Sequence, residues 1–358
     1  MNADSVKFLK SIVDAPSPSG FEQPVRRIVA QRMKKSCDEV RHDVMGNVIG
    51  VLNPGAETRV MLAGHCDEIG LMITNIDDGG YVYFGTIGGF DPLQLLGQRV
   101  RIHGQNGDVP GVIGRKPIHV ISKEKGDLTK APGVHEMWID IGAKNKKDAQ
   151  KVAAVGDCVT IDAGFAHLRN DIVVGRGLDD RVGAFAVAET MRLLSARKGS
   201  LKVAVYGVAT TQEEVGIRGA KTSAYGIDPH AGIAIDVGFA TDYPTMNKNL
   251  TGDLALGKGP IISKGPNINP VLGQMLVDTA KRRKIPCQME GAPGATGTDA
   301  NVIQMTRAGV AAALVSVPNR YMHTPVELVS LGDLENVSKL LAATLLGMKE
   351  SQDFTPSV

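Results

Sequence analysis

An acidic pair, Glu213-Glu214, stands in Thr210-Thr211-Gln212-Glu213-Glu214-Val215-Gly216, directly after the apolar run Leu201 to Ala209. A carboxylate pair that closes a buried strand costs stability unless a cation compensates it. Other segments offer partners in the same setting: His65 and Asp67 after Val60-Met61-Leu62-Ala63, Asp179-Asp180 ahead of a helix, Asp236 after Ala231 to Ile235, and His323 after Val310 to Val317. Imidazoles and carboxylates in one cluster are ligands for divalent metal, and such a mixed set suits Zn(II), Co(II) or Mn(II) rather than a thiolate-selective ion. Two such ions side by side polarise a carbonyl and lower the pKa of a shared water, so amide hydrolysis is the natural reaction class.

Taken singly, each segment has a plainer explanation. His65 alone is a strand-end histidine, Asp179-Asp180 a helix start favoured by the dipole, Glu213-Glu214 a solvated loop, and His323 a loop histidine. Asp236, flanked by Ile235 and Val237 with no basic neighbour, is harder to explain without a cation. Their agreement in position outweighs the separate explanations, because sites in open α/β sheets gather outside the carboxyl ends of strands. Asp67 lies two residues from His65, and on an extended segment that puts both side chains on one side. It can therefore accept the spare ring N–H of His65. A carboxylate bound to metal cannot easily shuttle protons as well. The adjacent glutamates divide that labour: Glu214 binds metal, while Glu213 acts as general base and later protonates the leaving amine.

These residues need a scaffold, and the apolar pattern supplies one. Phe21, Val25, Ile28, Val29 and Met33 recur at helical spacing within Phe21 to Lys35, and short strands fit Glu39 to Asp43 and Val48 to Leu52. From about Thr74 to Phe165 the texture changes to short alternating segments punctuated by Gly, Pro and Asp, with one helix, Lys147 to Ala153, behind a cap at Asn145. After Arg169 helices (Asp180 to Arg197, Gly219 to Ala224, Asn269 to Lys284, Leu331 to Gly347) alternate with strands (Leu201 to Ala209, Ala231 to Ile235, Val310 to Val317). The expectation is an α/β catalytic domain of residues 1–73 and 166–358, interrupted by a small β-rich domain of residues 74–165.

Composition narrows the function classes. The 358 residues carry 40 basic and 38 acidic side chains, a net charge of +2, and few aromatics, which is no electrostatic footprint for nucleic acid. Met1-Asn2-Ala3-Asp4-Ser5-Val6-Lys7 is not a secretory signal, and no apolar run suits a membrane span. Cys37, Cys66, Cys158 and Cys287 are far apart with no Cys-x-x-Cys pair, so reduced thiols and a cytoplasmic setting are expected.

Ala63-Gly64-His65-Cys66-Asp67-Glu68-Ile69-Gly70, Leu178-Asp179-Asp180-Arg181-Val182-Gly183, Gln212-Glu213-Glu214-Val215-Gly216, Ala234-Ile235-Asp236-Val237 and His323-Thr324-Pro325-Val326-Glu327 together resemble the M42 family of metallo-aminopeptidases, which includes glutamyl and tetrahedral TET aminopeptidases. The resemblance spans nearly the whole chain. It implies a three-layer α/β/α, phosphorylase/hydrolase-like domain with an inserted β-barrel dimerisation domain, short peptides as substrates, and assembly of dimers into a tetrahedral homododecamer. It implies two divalent ions per subunit, zinc before cobalt or manganese: His65, Asp179 and Asp236 on one, Asp179, Glu214 and His323 on the other, with Asp179 bridging, Glu213 the base and Asp67 the orienter. Thr324 and Met322 depart from the family's frequent serine and isoleucine without touching a ligand. Gly294-Ala295-Thr296-Gly297-Thr298-Asp299-Ala300 resembles a family loop near the active centre and reads equally well as a turn capping the next helix. The alternatives are a related dinuclear deacylase or carboxypeptidase, and a non-catalytic assembly protein of the same fold.

Overall fold

In Arg59–His65 the side chains alternate between two hydrophobic cores, and this alternation sets the layering of the chain. Val60 and Leu62 pack with the long helices Leu178–Ser195, Pro270–Arg283 and Leu331–Leu346, while Met61 and Ala63 pack under the shorter helices Arg218–Ile227 and Asp299–Gln304. Burial on both faces explains why the strands read as continuous apolar runs rather than alternating ones. The computed structural model describes residues 1–123 and 131–357.

The strands, in chain order, are β1 (Glu39–His42), β2 (Val48–Leu52), β3 (Arg59–His65), β4 (Gly70–Ile76), β5 (Val82–Ile87), β6 (Arg99–Gly104), β7 (Gly107–Gly114), β8 (Trp138–Asp140), β9 (Cys158–Ile161), β10 (Ala166–His167), β11 (Ile172–Gly175), β12 (Ala204–Thr210), β13 (Ala231–Phe239), β14 (Ile261–Lys264), β15 (Gln288–Gly291), β16 (Ala311–Asn319) and β17 (Glu327–Ser330). An eight-stranded sheet runs β1-β2-β12-β3-β13-β16-β14-β15. Its centre, β12, β3, β13 and β16, is parallel, so four strand ends point the same way. Helices cover both faces, giving the expected α/β/α sandwich.

The inserted unit is a closed barrel, β4-β5-β8-β7-β6-β9, with a separate core that includes Leu71, Phe84, Ile102, Ile139 and Val159. Its first stave, β4, begins at Gly70, ahead of residue 74, because Gly70–Ile76 pairs with β5 and β9 rather than with the large sheet.

Several elements differ from the sequence expectation. Asp236 lies inside β13 instead of beyond its end, because β13 pairs with β16 along its whole length, with Asp236 opposite Ser316. The first helix is Ala3–Asp14, capped by the Asn2 side chain. A small sheet, β10-β11-β17, and the outer strands β14 and β15 are only two to four residues long, too short for a pattern to reveal. The helix after Asn145 is one turn, Lys146–Ala149, with the Asn145 side chain accepting from the Asp148 N–H.

Candidate metal centre

His65 is the last residue of β3, level with Thr210 at the end of β12. A close approach fixes it there: a Cβ on Gly64 would lie 2.4 Å from the Gly183 carbonyl carbon, so glycine at 64 lets the start of helix Leu178–Ser195 rest against the strand. The turn that begins this helix is held to the strand end by Asp180, whose Oδ2 accepts the His65 N–H at 3.0 Å and whose Oδ1 accepts the Gly183 N–H at 2.9 Å. Asp179 and Asp180 have non-helical backbones joined by a cis peptide bond, and Asp179 projects toward His65.

From β17, Glu327 reaches the same place. Its buried carboxylate accepts the Asp179 N–H at 2.8 Å and the His323 N–H at 3.0 Å, tying the two segments together. Past the end of β12, Gln212 takes a left-handed φ of 56°, and the turn closes with the Gly216 and Ile217 N–H groups donating to the Glu213 carbonyl. Asp67 Oδ1 accepts the Glu213 N–H at 3.1 Å, and its Oδ2 accepts the Glu214 N–H at 3.2 Å and the Ser19 hydroxyl at 2.7 Å.

The structure brings His65, Asp67, Asp179, Glu213, Glu214, Asp236 and His323 into one cluster. Overlapping groups of donor atoms within 4.8 Å of one another are His65 with Glu213 and Glu214, His65 with Asp180 and Asp236, and Asp179 with Glu214 and His323. Asp179 sits at the centre. Its Oδ1 lies 3.2 Å from His65 Nε2 and its Oδ2 3.4 Å from His323 Nε2, while His323 Nε2 is 3.6 Å from Glu214 Oε2. Donor atoms on a tetrahedral ion with bonds of about 2.0–2.1 Å stand roughly 3.3 Å apart. The spacing fits. Asp180, with both oxygens taken by main-chain N–H groups, holds the turn rather than offering a free ligand.

Both rings turn their Nδ1 away from the cluster. His65 Nδ1 faces Asp67, 3.2 Å from its carbonyl oxygen and 3.4 Å from its Oδ1. The main-chain carbonyl is therefore the nearer partner, because β3 ends at His65 and the strict alternation assumed from the sequence does not extend to Asp67. His323 Nδ1 is 2.9 Å from the Gly89 carbonyl.

The site is crowded with carboxyl groups, most of which burial keeps protonated. Burial pushes the Glu213 carboxyl up to about 9, Glu214 to about 7 and Asp299 to about 6, and holds Asp180, Asp236 and Glu327 well above the carboxylate range. Against the cost of burial, His323 and His65 hold Asp179 low and His65 holds Asp67 low. In return Asp179 lifts His323 to about 9, and Asp179 and Asp67 raise His65 despite its burial. Among the described residues, the ion-pair partners of Asp67, Asp179, Glu213 and Glu214 are these two imidazoles. Without a cation, burial keeps most of these carboxyls protonated; divalent cations in the cluster would let them ionise and take part as ligands.

Sequence reasoning offered Asp180 only as a ligand or helix-start carboxylate and gave no role to Glu327, Asp299, Ser19 or Gly89. Asp180 and Glu327 bind main-chain N–H groups, which leaves no residue-type pattern. Asp299 accepts the Thr210 hydroxyl at 2.7 Å, while Thr298 caps helix Asp299–Gln304, so the Gly294–Ala300 loop both caps a helix and borders the site.

The profile of the M42 glutamyl aminopeptidase family matches residues 46–340. The chain belongs to that family. Among curated relatives it is 39% identical to a lysyl aminopeptidase of Pyrococcus furiosus, over 98% of this chain and 99% of the relative. Among solved structures it is similar to a TET aminopeptidase from a marine-sediment Thaumarchaeota archaeon, with a TM-score of 0.92, 34% identity, and coverage of 97% and 98%. It is also similar to the Pyrococcus horikoshii TET1 peptidase, with a TM-score of 0.84, 32% identity, and coverage of 95% and 98%. This M42 chain is an aminopeptidase, a hydrolase acting on peptides from the end. No helix among the described residues is long and apolar enough to cross a membrane.

Proposed function

We propose that the chain removes N-terminal residues from short peptides with two divalent ions, one held by His65, Asp179 and Asp236, the other by Asp179, Glu214 and His323, and with Glu213 as general base. The observation that carries this is Asp179, with one carboxylate oxygen against each imidazole Nε2. The imidazole and carboxylate donors favour zinc, then cobalt or manganese. When bound, the ions polarise the scissile carbonyl and lower the pKa of the attacking water.

The chain's own residues do the rest. Glu213 Oε2 stands 3.9 Å from His65 Nε2, beside the ligand set, where it takes the water's proton and hands it to the departing amine. Asp67 aims that work: by accepting the N–H groups of both glutamates it fixes their divergence, and through His65 Nδ1 it leaves Nε2 facing Asp179.

The proposal extends to assembly. The inserted barrel, which begins at Gly70, serves as the dimerisation domain, and the dimers build a tetrahedral homododecamer in the cytoplasm. Support comes from the TET1 peptidase, which can assemble into a tetrahedron or a large octahedral shell, and from exposed Leu93, Val112, Ile118 and Val155 in the insert.

The test compares metal-loaded with chelator-treated protein on aminoacyl anilides and on free and N-acetylated peptides. Release from free peptides, lost with chelator and blocked by acetylation, is expected. Cleavage of acetylated peptides instead means a deacylase or carboxypeptidase, and no release from any substrate means a non-catalytic protein.

A further inference from the structure

We propose that the main-chain carbonyl of Gly89, on the barrel, is a positioning group for the metal centre: it sets the tautomer and ring plane of His323, so the site shared by Asp179, Glu214 and His323 is complete only when the barrel is seated on the sandwich. This rests on the two-ion reading above.

His323 needs such a partner. It comes from a loop, in a left-handed conformation with φ of 59°, and its side chain is 39% exposed. Glu327 secures its main-chain N–H but not its ring. The ring's hold is Gly89, whose carbonyl lies 2.9 Å from Nδ1. A neutral imidazole carries one proton, and an acceptor at Nδ1 keeps the proton there, leaving the Nε2 lone pair toward Asp179 and Glu214. The histidine is on the sandwich and its acceptor on the barrel, 234 residues earlier in the chain.

The barrel loop is shaped for this contact by two glycines after β5. Gly88 has φ of 76°, and a Cβ there would lie 2.7 Å from Ile69 Cγ2 and 3.4 Å from both Cβ and Oε2 of Glu214. A Cβ on Gly89 would lie 3.5 Å from His323 Nδ1. The loop therefore lies against two of the three residues assigned to one ion, His323 and Glu214. On the other side of the cluster, His65 finds its Nδ1 partner within the sandwich. The inference is an asymmetric pair of sites, one intrinsic to the sandwich and one dependent on the barrel.

Gly88→Ala tests it by filling the space between the loop and the sandwich. Gly97→Ala is the matched control: its φ of 74° imposes the same strain, and an added Cβ meets nothing within 4 Å. Metal-free proteins are titrated with Co(II), following visible absorption and heat. Wild type and Gly97→Ala are expected to bind two equivalents, and Gly88→Ala to bind one equivalent normally and the other about 10–100-fold more weakly, the usual cost of losing a partner behind a metal-bound histidine. If the alanine variant misfolds, Gly88→Asn fills the same space with a larger side chain but tolerates left-handed φ better. Two normal equivalents in a folded Gly88 variant overturn the proposal. A wild type that binds fewer than two sinks the two-ion reading and this inference with it, a failure distinguished by its presence in every protein tested.

Discussion

His65 and His323 face the same carboxylate from opposite sides, and they are held in opposite ways. The His65 side chain is 2% exposed, ends a central strand, and is surrounded by parts of the sandwich: Asp180 on its main chain, Asp67 on its ring. His323 is on a loop, is 39% exposed, and takes its support from Glu327 and from a carbonyl of the barrel. One half of the site is thus part of the sheet, and the other half is assembled from separate pieces. A rigid half fixes the coordinates of the chemistry, and an assembled half can respond to whatever moves the barrel.

Substitutions can break or sharpen this contrast. The largest effect is expected from Glu213→Gln, which preserves shape but removes the proton carrier: kcat falls by about 10³-fold while metal content on both sides is unchanged. Metal loss in that variant would mean that Glu213 is a ligand of the His65 half. Next, His65→Ala should cost both metal and stability, about 3 kcal/mol in a denaturant melt of the metal-free protein, because it strips the partner from buried Asp67 and Asp179. His323→Ala should lose metal with less destabilisation than His65→Ala, since its own side chain is partly in water although it too faces buried Asp179. Equal destabilisation by the two would erase the contrast.

The smallest effect is on pH dependence. In the metal-free protein, Glu213 and Glu214 keep protons up to about 9 and about 7, against an ordinary value of 4.5, and His323 keeps its proton up to about 9 against 6.5. Each of these groups binds its proton more tightly folded than unfolded, so its stabilisation is complete below the unfolded value and is lost as pH rises through the folded one. The Tm of chelated protein should therefore fall from pH 5 to pH 9. The metal-loaded protein should show a flatter profile. A Tm that rises over this range without metal would contradict the crowding of buried carboxyls.

Much of this site could be read from residue types, because strand ends and ligand chemistry both leave marks in a sequence. Val48–Leu52 is where its apolar run put it, and helix Pro270–Arg283 lies within the expected Asn269 to Lys284, with Asn269 turning out to be its cap. His65, Asp179, Glu214, Asp236 and His323 come together as their shared position after strands or before a helix suggested. Asp236 was misplaced relative to its strand, because the apolar run breaks at the aspartate while the hydrogen-bonded ladder with β16 continues to Phe239. Glu327 went unassigned, and Asp180 was offered only as a ligand or helix-start carboxylate, because their partners are main-chain N–H groups. Gly89 was invisible for the mirror-image reason: it contributes a carbonyl that every residue has.

The Glu327 clasp has a consequence for synthesis. One carboxylate grips the main chain at Asp179 and again at His323, so the residue we assign as shared by both ions is not secured until translation has passed position 327. A nascent chain can fold its barrel and present His65 well before that. The turn carrying Asp179 then waits for a segment still inside the ribosome, and a stop codon before Glu327 should leave a chain that is largely made yet unable to hold the divalent ions assigned to the cluster.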